Sequence, residues 1–337
     1  MTKNERIWAF AKLGEWMRNL DEDTRAFLQN VQYKNPWYTP TNVHKQLEVL
    51  GNTLTEERLQ AWLAPYAAPA TDKIVGLVLA GNIPLVGFHD ILSTLIMGFT
   101  AQLKVSSDDA GLSTMVLRKL VELAPAFGEK VQWVDRLSNF DLVIATGSNN
   151  SARYFEYYFG KKPHIIRKNR NSIAVLSGEE TVQQIENLGH DIFDYFGLGC
   201  RSVSKIFIPD GYDIAKFYEP LERYKTLNEH FKYNNNYDYN KSIYLINGEK
   251  HFDNGFLLLK EDEHTASPLA VVFFEYYDTL AAVEAKLNAQ QEAIQCVLSE
   301  TKLQIQSPQF SFGGSQAPAL DDYADGVNTL DFLANNQ

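Results

Sequence analysis

Cysteine is scarce in this sequence, basic residues are in the minority, and long apolar runs are absent. The only cysteines are Cys200 and Cys296, too few for a disulfide framework in a chain of 337 residues. The 31 basic side chains face 42 acidic ones, and the net charge of −11 argues against binding to nucleic acid or to anionic membranes. No run reaches the roughly 18 apolar residues of a membrane-spanning helix, and charges interrupt the apolar N-terminus, unlike in a signal peptide. These features predict a cytoplasmic protein without a transmembrane segment.

Between residues 71 and 170, apolar strands alternate with helices. Strands are predicted at 73–81, 101–106, 130–135 and 140–148, and helices at 85–98 and 109–124. This alternation is typical of a doubly wound parallel sheet, which binds ligands at the carboxyl ends of its strands. The loops at those ends are 81–84, 104–108 and 146–149. None of them contains the GxGxxG fingerprint, so a dinucleotide would bind there in a different arrangement.

Similar patterns describe the rest of the chain. Helical spacing of apolar residues predicts helices in the N-terminal segments 4–30 and 41–66. After residue 170, strands are predicted within 172–181, 203–208, 242–248, 255–262 and 268–278, and helices at 182–196, 214–231 and 280–299. The polar and aromatic tract 232–240 is interpreted as an exposed loop, and Cys296, inside the last of these helices, as a packing residue.

Cys200 stands out because it lies between a glycine turn and an apolar strand. Gly197 and Gly199 precede it, and a thiol on such a bend can face a cleft, where backbone N–H groups also approach a substrate carbonyl closely. Arg201 and Lys205 add nearby positive charge, which would favour the thiolate. Taken alone, this pattern also fits a small buried cysteine with no role beyond packing.

The order of the motifs carries a family resemblance. GNIPL follows a strand, a short strand carries Lys104, a strand ends in TGS, another begins NSIAVL, and GLGC precedes a further strand. In this order, from about residue 70 to the C-terminus, the chain resembles the aldehyde dehydrogenase superfamily. The tail FGGSQAPALDDYADGVNTLDFL is similar to its acyl-CoA reductase branch, typified by the fatty-acid reductase of bacterial bioluminescence.

The resemblance implies an α/β fold with two doubly wound parallel-sheet domains. A helical segment, 1–70, would pack on a dinucleotide-binding domain, 71–170. A catalytic domain, 171–318, would carry the cysteine nucleophile, and a C-terminal segment, 319–337, would follow it. The oligomeric state is left open, and a homo-oligomer is compatible with the resemblance.

The resemblance also implies a role for each matched residue. Cys200 matches the nucleophile that holds the acyl group covalently, and Asn82 matches the asparagine whose amide stabilises the oxyanion together with the nucleophile's backbone N–H. Lys104 matches the lysine that contacts the adenosine ribose of the cofactor. Gly147 and Ser148 match the turn under the cofactor's phosphates, where Ser148 is also expected to cap a helix.

Three positions depart from the family pattern. Where hydrolytic members carry a glutamate base, the aligned residue here is near Arg167, which implies that water attacks the acyl-enzyme poorly. Ser107 stands where many NAD-preferring members have an acidic residue, so a 2′-phosphate is tolerated and NADPH is favoured, with NADH also compatible. His264, beside Glu263, stands where a glutamate would bind the nicotinamide ribose, which leaves the placement of the cofactor on that side open.

The resulting prediction is an NADPH-dependent acyl-CoA reductase that forms a fatty aldehyde and releases CoA through an acyl-enzyme on Cys200. Two alternatives stay open. One is a cysteine-dependent acyltransferase or thioesterase, for which His190 is the candidate base nearest in sequence to the thiol. The other is a non-catalytic binding subunit. No spacing of Cys, His, Asp and Glu indicates a metal site, and the sequence leaves the length of the acyl chain open.

Overall fold

The computed structural model describes residues 1–337 as an α/β protein that divides into two compact units. The first unit contains residues 1–169 and 319–337, and the second contains residues 170–318. Each unit is built on its own β-sheet, with five strands in one and seven in the other. No helix combines the length and the apolar character that crossing a membrane requires.

The first unit begins with four helices and continues as alternating strands and helices. The opening helices are α1 (Lys3–Arg18), α2 (Glu22–Val31), α3 (Pro40–Thr53) and α4 (Glu56–Leu63). The alternating part contains β1 (Ile74–Val78), α5 (Phe88–Ile96), β2 (Thr100–Lys104), α6 (Leu112–Leu123), β3 (Val131–Trp133), β4 (Leu142–Thr146), α7 (Asn149–Phe159) and β5 (His164–Arg167). The C-terminal helix α12 (Thr329–Ala334) belongs to the same unit.

The sheet of the first unit is wholly parallel, in the order β3-β2-β1-β4-β5. Strand β1 lies at its centre, where Val75 pairs with Ala101 of β2 and with Leu142 of β4. Because the strands are parallel, their carboxyl ends share one edge. The strand order reverses beside β1, and such a switch point opens a crevice for ligands at that edge.

A buried arginine fastens the N-terminal helices to this unit. Arg6, on α1, is 2% exposed and donates hydrogen bonds to the carbonyls of Ile96, Met1 and Ala68. The cost of burying its charge lowers the pKa of the guanidinium. Leu330 and Leu333 of α12 are fully buried in the same hydrophobic core, so the end of the chain completes this unit.

The second unit is built on the order β12-β11-β6-β7-β10-β9-β8. Its strands are β6 (Asn171–Val175), β7 (Val203–Pro209), β8 (Phe252–Asp253), β9 (Leu258–Glu261), β10 (Val271–Tyr277), β11 (Ile294–Leu298) and β12 (Gln309–Phe310). Its helices are α8 (Val182–Phe193), α9 (Ile214–Leu221), α10 (Phe231–Asn247) and α11 (Leu280–Ala289). The α/β fold with parallel sheets is confirmed, and only β8 runs antiparallel to its neighbour.

Three predicted elements of the second unit are wrong. The tract 232–240, interpreted as an exposed loop, and the strand predicted at 242–248 together form the helix α10, which buries Tyr233, Tyr237 and Tyr244 on one face. The helix predicted at 280–299 ends at Ala289, and a buried strand, β11, replaces its second half. Cys296 therefore lies in a strand, and the structure confirms that it is buried.

Candidate active site

Cys200 is exposed on the connection between α8 and β7. Directly before it, Tyr195, Phe196 and Gly197 all adopt left-handed backbone conformations, with φ of 53°, 59° and 77°. Two consecutive non-glycine residues in this region are strained. Tyr195 is buried and the Phe196 ring stacks on the His230 ring at 4.2 Å, so packing holds the strained segment in place. This reversal of the chain delivers Cys200 to the surface of the unit.

The thiol sits on a turn whose backbone is held from several sides. The N–H of Ser202 donates to the carbonyl of Gly199 at 3.0 Å, which closes a turn with Cys200 inside it. The hydroxyl of Ser172, on β6, donates to the carbonyl of Cys200 at 3.0 Å. The Ser315 hydroxyl lies 3.1 Å from the carbonyl of Arg201. The turn that carries the thiol is therefore an ordered part of the unit.

Asp191, at the end of α8, ties the glycine-rich tail motif to this turn. Its buried carboxylate accepts hydrogen bonds from the N–H groups of Gly313 and Ser315 and from the Ser315 hydroxyl at 2.6 Å. That hydroxyl has one proton, which it shares between Asp191 and the Arg201 carbonyl. Desolvation by burial raises the pKa of Asp191 to about 6, against the lowering effect of these hydrogen bonds.

We expect Asp191 to give the protein a measurable pH dependence. Because its folded pKa of about 6 exceeds the ordinary 3.8, its contribution to stability is complete below pH 3.8 and is lost as the pH rises through 6. The loss should be on the order of 3 kcal/mol. The measurement is the free energy of unfolding by urea between pH 4 and 7.5, for the wild type and for Asp191→Asn. A difference between the two proteins that does not change with pH would contradict the raised pKa.

The sequence suggested that Lys205 stabilises a thiolate at Cys200, and its contacts argue against this role. The side chain, fully buried on β7, donates to the carbonyls of Asp262 and Glu263 at 3.0 and 2.9 Å and pairs with Glu275 at 2.7 Å. The ammonium charge is therefore neutralised by Glu275, and its other hydrogen bonds go to the loop after β9. For this reason Lys205 contributes little to stabilising a thiolate at Cys200. His264, the residue matched to the nicotinamide-ribose glutamate, is 83% exposed on this loop and bonds the Asp262 carboxylate at 2.6 Å.

A cavity of about 240 Å³ lies in the second unit beside the segment that precedes Cys200. Gly197 and Leu198 form part of its wall. Apolar side chains such as Phe193 line it together with polar groups such as Ser204. The surface that faces the cavity therefore has both apolar and polar parts.

In the first unit, Asn82 is exposed on the loop after β1. The hydroxyl of Tyr38 lies 3.0 Å from the carbonyls of both Gly81 and Ile83, so it holds the loop on both sides of Asn82. Burial raises the pKa of Tyr38, which keeps the hydroxyl protonated and able to donate. A side chain at Gly81 would come within 2.8 Å of Ser106, so the loops after β1 and β2 pack closely.

The four residues matched to cofactor binding lie at the carboxyl edge of the same sheet, at the end of β2 and on the connections that follow β2 and β4. Lys104 ends β2 with its side chain exposed, and Ser107 begins the short 3-10 helix that follows. Gly147 follows β4, and a Cβ there would come within 2.9 Å of Ser151. Ser148 caps α7 by accepting a hydrogen bond from the N–H of Ser151 at 3.2 Å, which confirms the predicted cap.

Arg167, near the position of the absent glutamate, is a core residue of the first unit. It ends β5, is 5% exposed, and forms an ion pair with Asp90 of α5 at 2.5 Å. Its guanidinium also donates to the hydroxyl of Thr329 at 3.1 Å. This position therefore holds a buried cation with partners on α5 and α12.

Comparison with known families identifies the family to which the chain belongs. A sequence model described as acyl-CoA reductase (LuxC) matches residues 60–231, just over half of the chain. The chain belongs to the LuxC acyl-CoA reductase family. The matched region includes all six residues that the motifs singled out in the two units: Asn82, Lys104, Ser107, Gly147, Ser148 and Cys200. A sequence comparison with curated proteins returned no match.

Solved structures show that this LuxC-family chain has the aldehyde dehydrogenase fold. Aldehyde dehydrogenase 21 from Physcomitrella patens, in complex with succinate, is 13% identical over 100% of the chain and 84% of its own, with a TM-score of 0.65. An NAD-dependent benzaldehyde dehydrogenase from Corynebacterium glutamicum is 13% identical over 94% and 83%, with a TM-score of 0.68. A point mutant of betaine aldehyde dehydrogenase from Staphylococcus aureus, in complex with NAD⁺, is 14% identical over 92% of the chain and 76% of its own, with a TM-score of 0.66. Family and fold together support aldehyde-related oxidoreductase activity.

The structure also adds residues that the sequence did not single out. Ser172, Asp191 and Ser315 hold the Cys200 turn, and Tyr38 holds the Asn82 loop. Two of them lie in motifs that carry the family resemblance, Ser172 in NSIAVL and Ser315 in the FGGS of the tail. Nothing in the sequence distinguishes Asp191 and Tyr38 from packing residues.

Proposed function

We propose that this protein reduces a fatty acyl-CoA to the aldehyde with NADPH, releasing CoA through a thioester on Cys200. The observation that carries the proposal is the placement of an exposed cysteine on an ordered turn, directly after a segment that lines a cavity, in a chain of the acyl-CoA reductase family. Under this proposal, residues 71–170 bind the cofactor and residues 171–318 carry the chemistry.

Cys200 carries the acyl group between two steps. Its thiolate attacks the thioester carbonyl carbon; a new C–S bond forms, the C–S bond to CoA breaks, and CoA leaves as a thiol once protonated. NADPH, when bound, supplies a hydride to that carbonyl carbon. The tetrahedral oxyanion on Cys200 then collapses, the C–S bond to the enzyme breaks, and the aldehyde leaves with the thiolate restored. The acyl group gains two electrons, NADPH loses two, and one proton is consumed.

The exposed residues of the first unit suit a phosphorylated dinucleotide. Lys104 offers a cation, and the α7 N-terminus behind Gly147 and Ser148 offers backbone N–H groups to a phosphate. Glycine at 147 lets the start of α7 pack against this turn, since a Cβ there would collide with Ser151 and Phe155. Ser107 presents no carboxylate to a 2′-phosphate, and for this reason we favour NADPH over NADH.

Arg167 supports reduction over hydrolysis. A base for water must be a weakly held acceptor near the acyl group, whereas this arginine is a buried cation paired with Asp90. We infer that the acyl-enzyme is poorly hydrolysed and waits for the hydride.

Replacing Asn82 by alanine should lower kcat by about 100–1000-fold, equivalent to about 2.7–4 kcal/mol, if its amide donates to the oxyanion. The measurement is steady-state NADPH oxidation with an acyl-CoA. Asn52→Ala, in an exposed position at the end of α3, is the matched control and should retain wild-type turnover. An Asn82→Ala protein that keeps more than a third of the wild-type kcat would remove Asn82 from the mechanism.

The proposed function is tested by following NADPH absorbance and thiol release together with acyl-CoAs of increasing chain length. Equal rates of NADPH loss and CoA appearance are expected, with a maximum at one chain length. CoA release without NADPH loss would favour a thioesterase or acyltransferase. The absence of both signals, with NADPH still bound, would favour a non-catalytic binding subunit.

A further inference from the structure

Ser172 is a fully buried polar residue at the start of β6, inside the second unit. Its hydroxyl oxygen lies 3.0 Å from the carbonyl oxygen of Cys200, which is 28 residues away in sequence. A hydroxyl placed in a sheet interior needs a partner, since burying it unpaired costs about 1–3 kcal/mol. Here the partner is the carbonyl of the proposed nucleophile itself.

The direction of this hydrogen bond follows from its acceptor. A carbonyl oxygen can only accept, so the single proton of Ser172 is directed to Cys200. The sulfur of Cys296, on β11, lies 3.1 Å from the same Ser172 oxygen. Burial raises the pKa of the Cys296 thiol to about 11, so the thiol is protonated at neutral pH and is the group that still has a proton to donate to the Ser172 oxygen.

The sheet is irregular on both sides of Ser172. Between β6 and β7, the pairing register shifts directly after the pair Ser172 and Val203. Between β11 and β6, it shifts directly before the pair Cys296 and Ser172. Such bulges re-aim a side chain relative to a regular ladder, and they are frequent next to active sites. In this sheet, two register shifts meet at the residue whose hydroxyl reaches the Cys200 turn.

Holding the Cys200 carbonyl restricts the backbone that carries the thiol. The hydroxyl of Ser172 holds one end of the planar peptide unit that joins Cys200 to Arg201. The hydrogen bond from Ser202 to Gly199 closes the turn around the same residue. Together the two bonds limit the direction of the Cys200 Cα–Cβ bond, from which the sulfur takes one of the staggered χ1 rotamers.

We propose that Ser172 is a positioning residue for Cys200, holding its carbonyl so that the thiolate is aligned for attack on the thioester. This inference rests on the proposed function. Losing the alignment should lower kcat by about 10–100-fold while KM stays within about threefold, because a misplaced nucleophile weakens the chemical step more than substrate binding.

The test compares Ser172→Ala with a second serine variant of the same unit. Ser299→Ala removes a buried hydroxyl that donates to the Val175 carbonyl at 2.9 Å, the same kind of bond away from the turn. Ser299→Ala should retain wild-type kcat, although its urea midpoint of unfolding should fall about as much as that of Ser172→Ala.

A carbonyl NMR signal reports on the hydrogen bond without any turnover. The chain has two cysteines, so labelling with [1-¹³C]cysteine gives two carbonyl signals, which Cys200→Ala assigns. In Ser172→Ala the Cys200 signal should move upfield by more than the Cys296 signal, and in Ser299→Ala neither signal should move. As a second variant, Ser172→Thr keeps the hydroxyl and should keep both the signal and kcat.

The outcomes separate this inference from the proposed function. An unchanged Cys200 signal in Ser172→Ala would overturn the inference even in an active enzyme. A shifted signal with unchanged kcat would also overturn it, because the bond would then align nothing. A wild-type protein that turns over no acyl-CoA but shows the shifted signal would instead overturn the proposed reaction and leave the hydrogen bond established.

Discussion

Replacing Cys200 by alanine should abolish acyl-CoA-dependent NADPH oxidation, lowering kcat by about 10⁴-fold or more. The reason is chemical: without the thiolate, no covalent acyl-enzyme forms and CoA is not displaced. The thiol is exposed on its turn, so its removal leaves no cavity in the core. Substrate-dependent NADPH absorbance and CoA release, measured on wild type and variant, should therefore disappear together while the fold persists.

Thiol counting provides the control for this variant. A disulfide reagent should titrate one thiol in the native wild type, because Cys296 is buried, and two in denaturant. Native Cys200→Ala should show none, and the denatured variant one. Unchanged NADPH binding by the variant would show that the cofactor unit is intact. If the variant keeps more than a tenth of the wild-type activity, the covalent mechanism is wrong.

The fold was predictable wherever local pattern decides structure. In the first unit, short apolar runs ending in Gly81 and Gly147 predicted the strands of a parallel sheet, because strands buried on both faces are apolar throughout. Ser148 was expected to cap a helix from its place after a strand, and the hydrogen bond from Ser151 confirms it. The local pattern predicts these elements, although the strands take their hydrogen-bond partners from distant residues.

The secondary-structure prediction failed for α10 and β11, where the amino-acid composition or a short apolar run favoured another element. Helix α10 is rich in tyrosine and asparagine, which resembles a loop, yet Tyr233, Tyr237 and Tyr244 recur on one buried face as helical spacing requires. The short run Ile294–Leu298 fits a buried helix or a buried strand equally well, and only its neighbours β6 and β12 in the sheet decide for the strand.

The candidate site was only partly predictable for a different reason. Glycines beside Cys200 mark a turn in the sequence itself, but the groups that hold this turn come from far along the chain. Ser172 is 28 residues from Cys200, and Ser315 is 114 residues from Arg201. Tyr38 reaches the Asn82 loop from 43 to 45 residues away. Long-range hydrogen bonds leave no local signature, so the sequence pattern could single out Cys200 and Asn82 as candidates but not the long-range contacts that hold their loops.

The ion pair between Asp90 and Arg167 has the largest expected effect on stability. Replacing Asp90 by alanine should lower the free energy of unfolding by about 3–5 kcal/mol, because it leaves a buried guanidinium charge without its carboxylate. Both side chains are almost fully buried, at 5% exposure each, and water cannot replace the lost partner. Urea unfolding of the full chain at neutral pH measures the effect.

The double variant Asp90→Ala/Arg167→Met is the matched control. Removing both charges should recover most of the lost free energy, since an apolar replacement of a buried pair is often close to neutral. A loss equal to the sum of the two single variants would contradict the pairing.

The same energetic argument applies to a glutamate at position 167, which would face Asp90 in the core and add a second buried carboxylate. A hydrolytic base therefore cannot be restored at this position by Arg167→Glu alone, and we expect that variant to unfold more easily without gaining thioester hydrolysis.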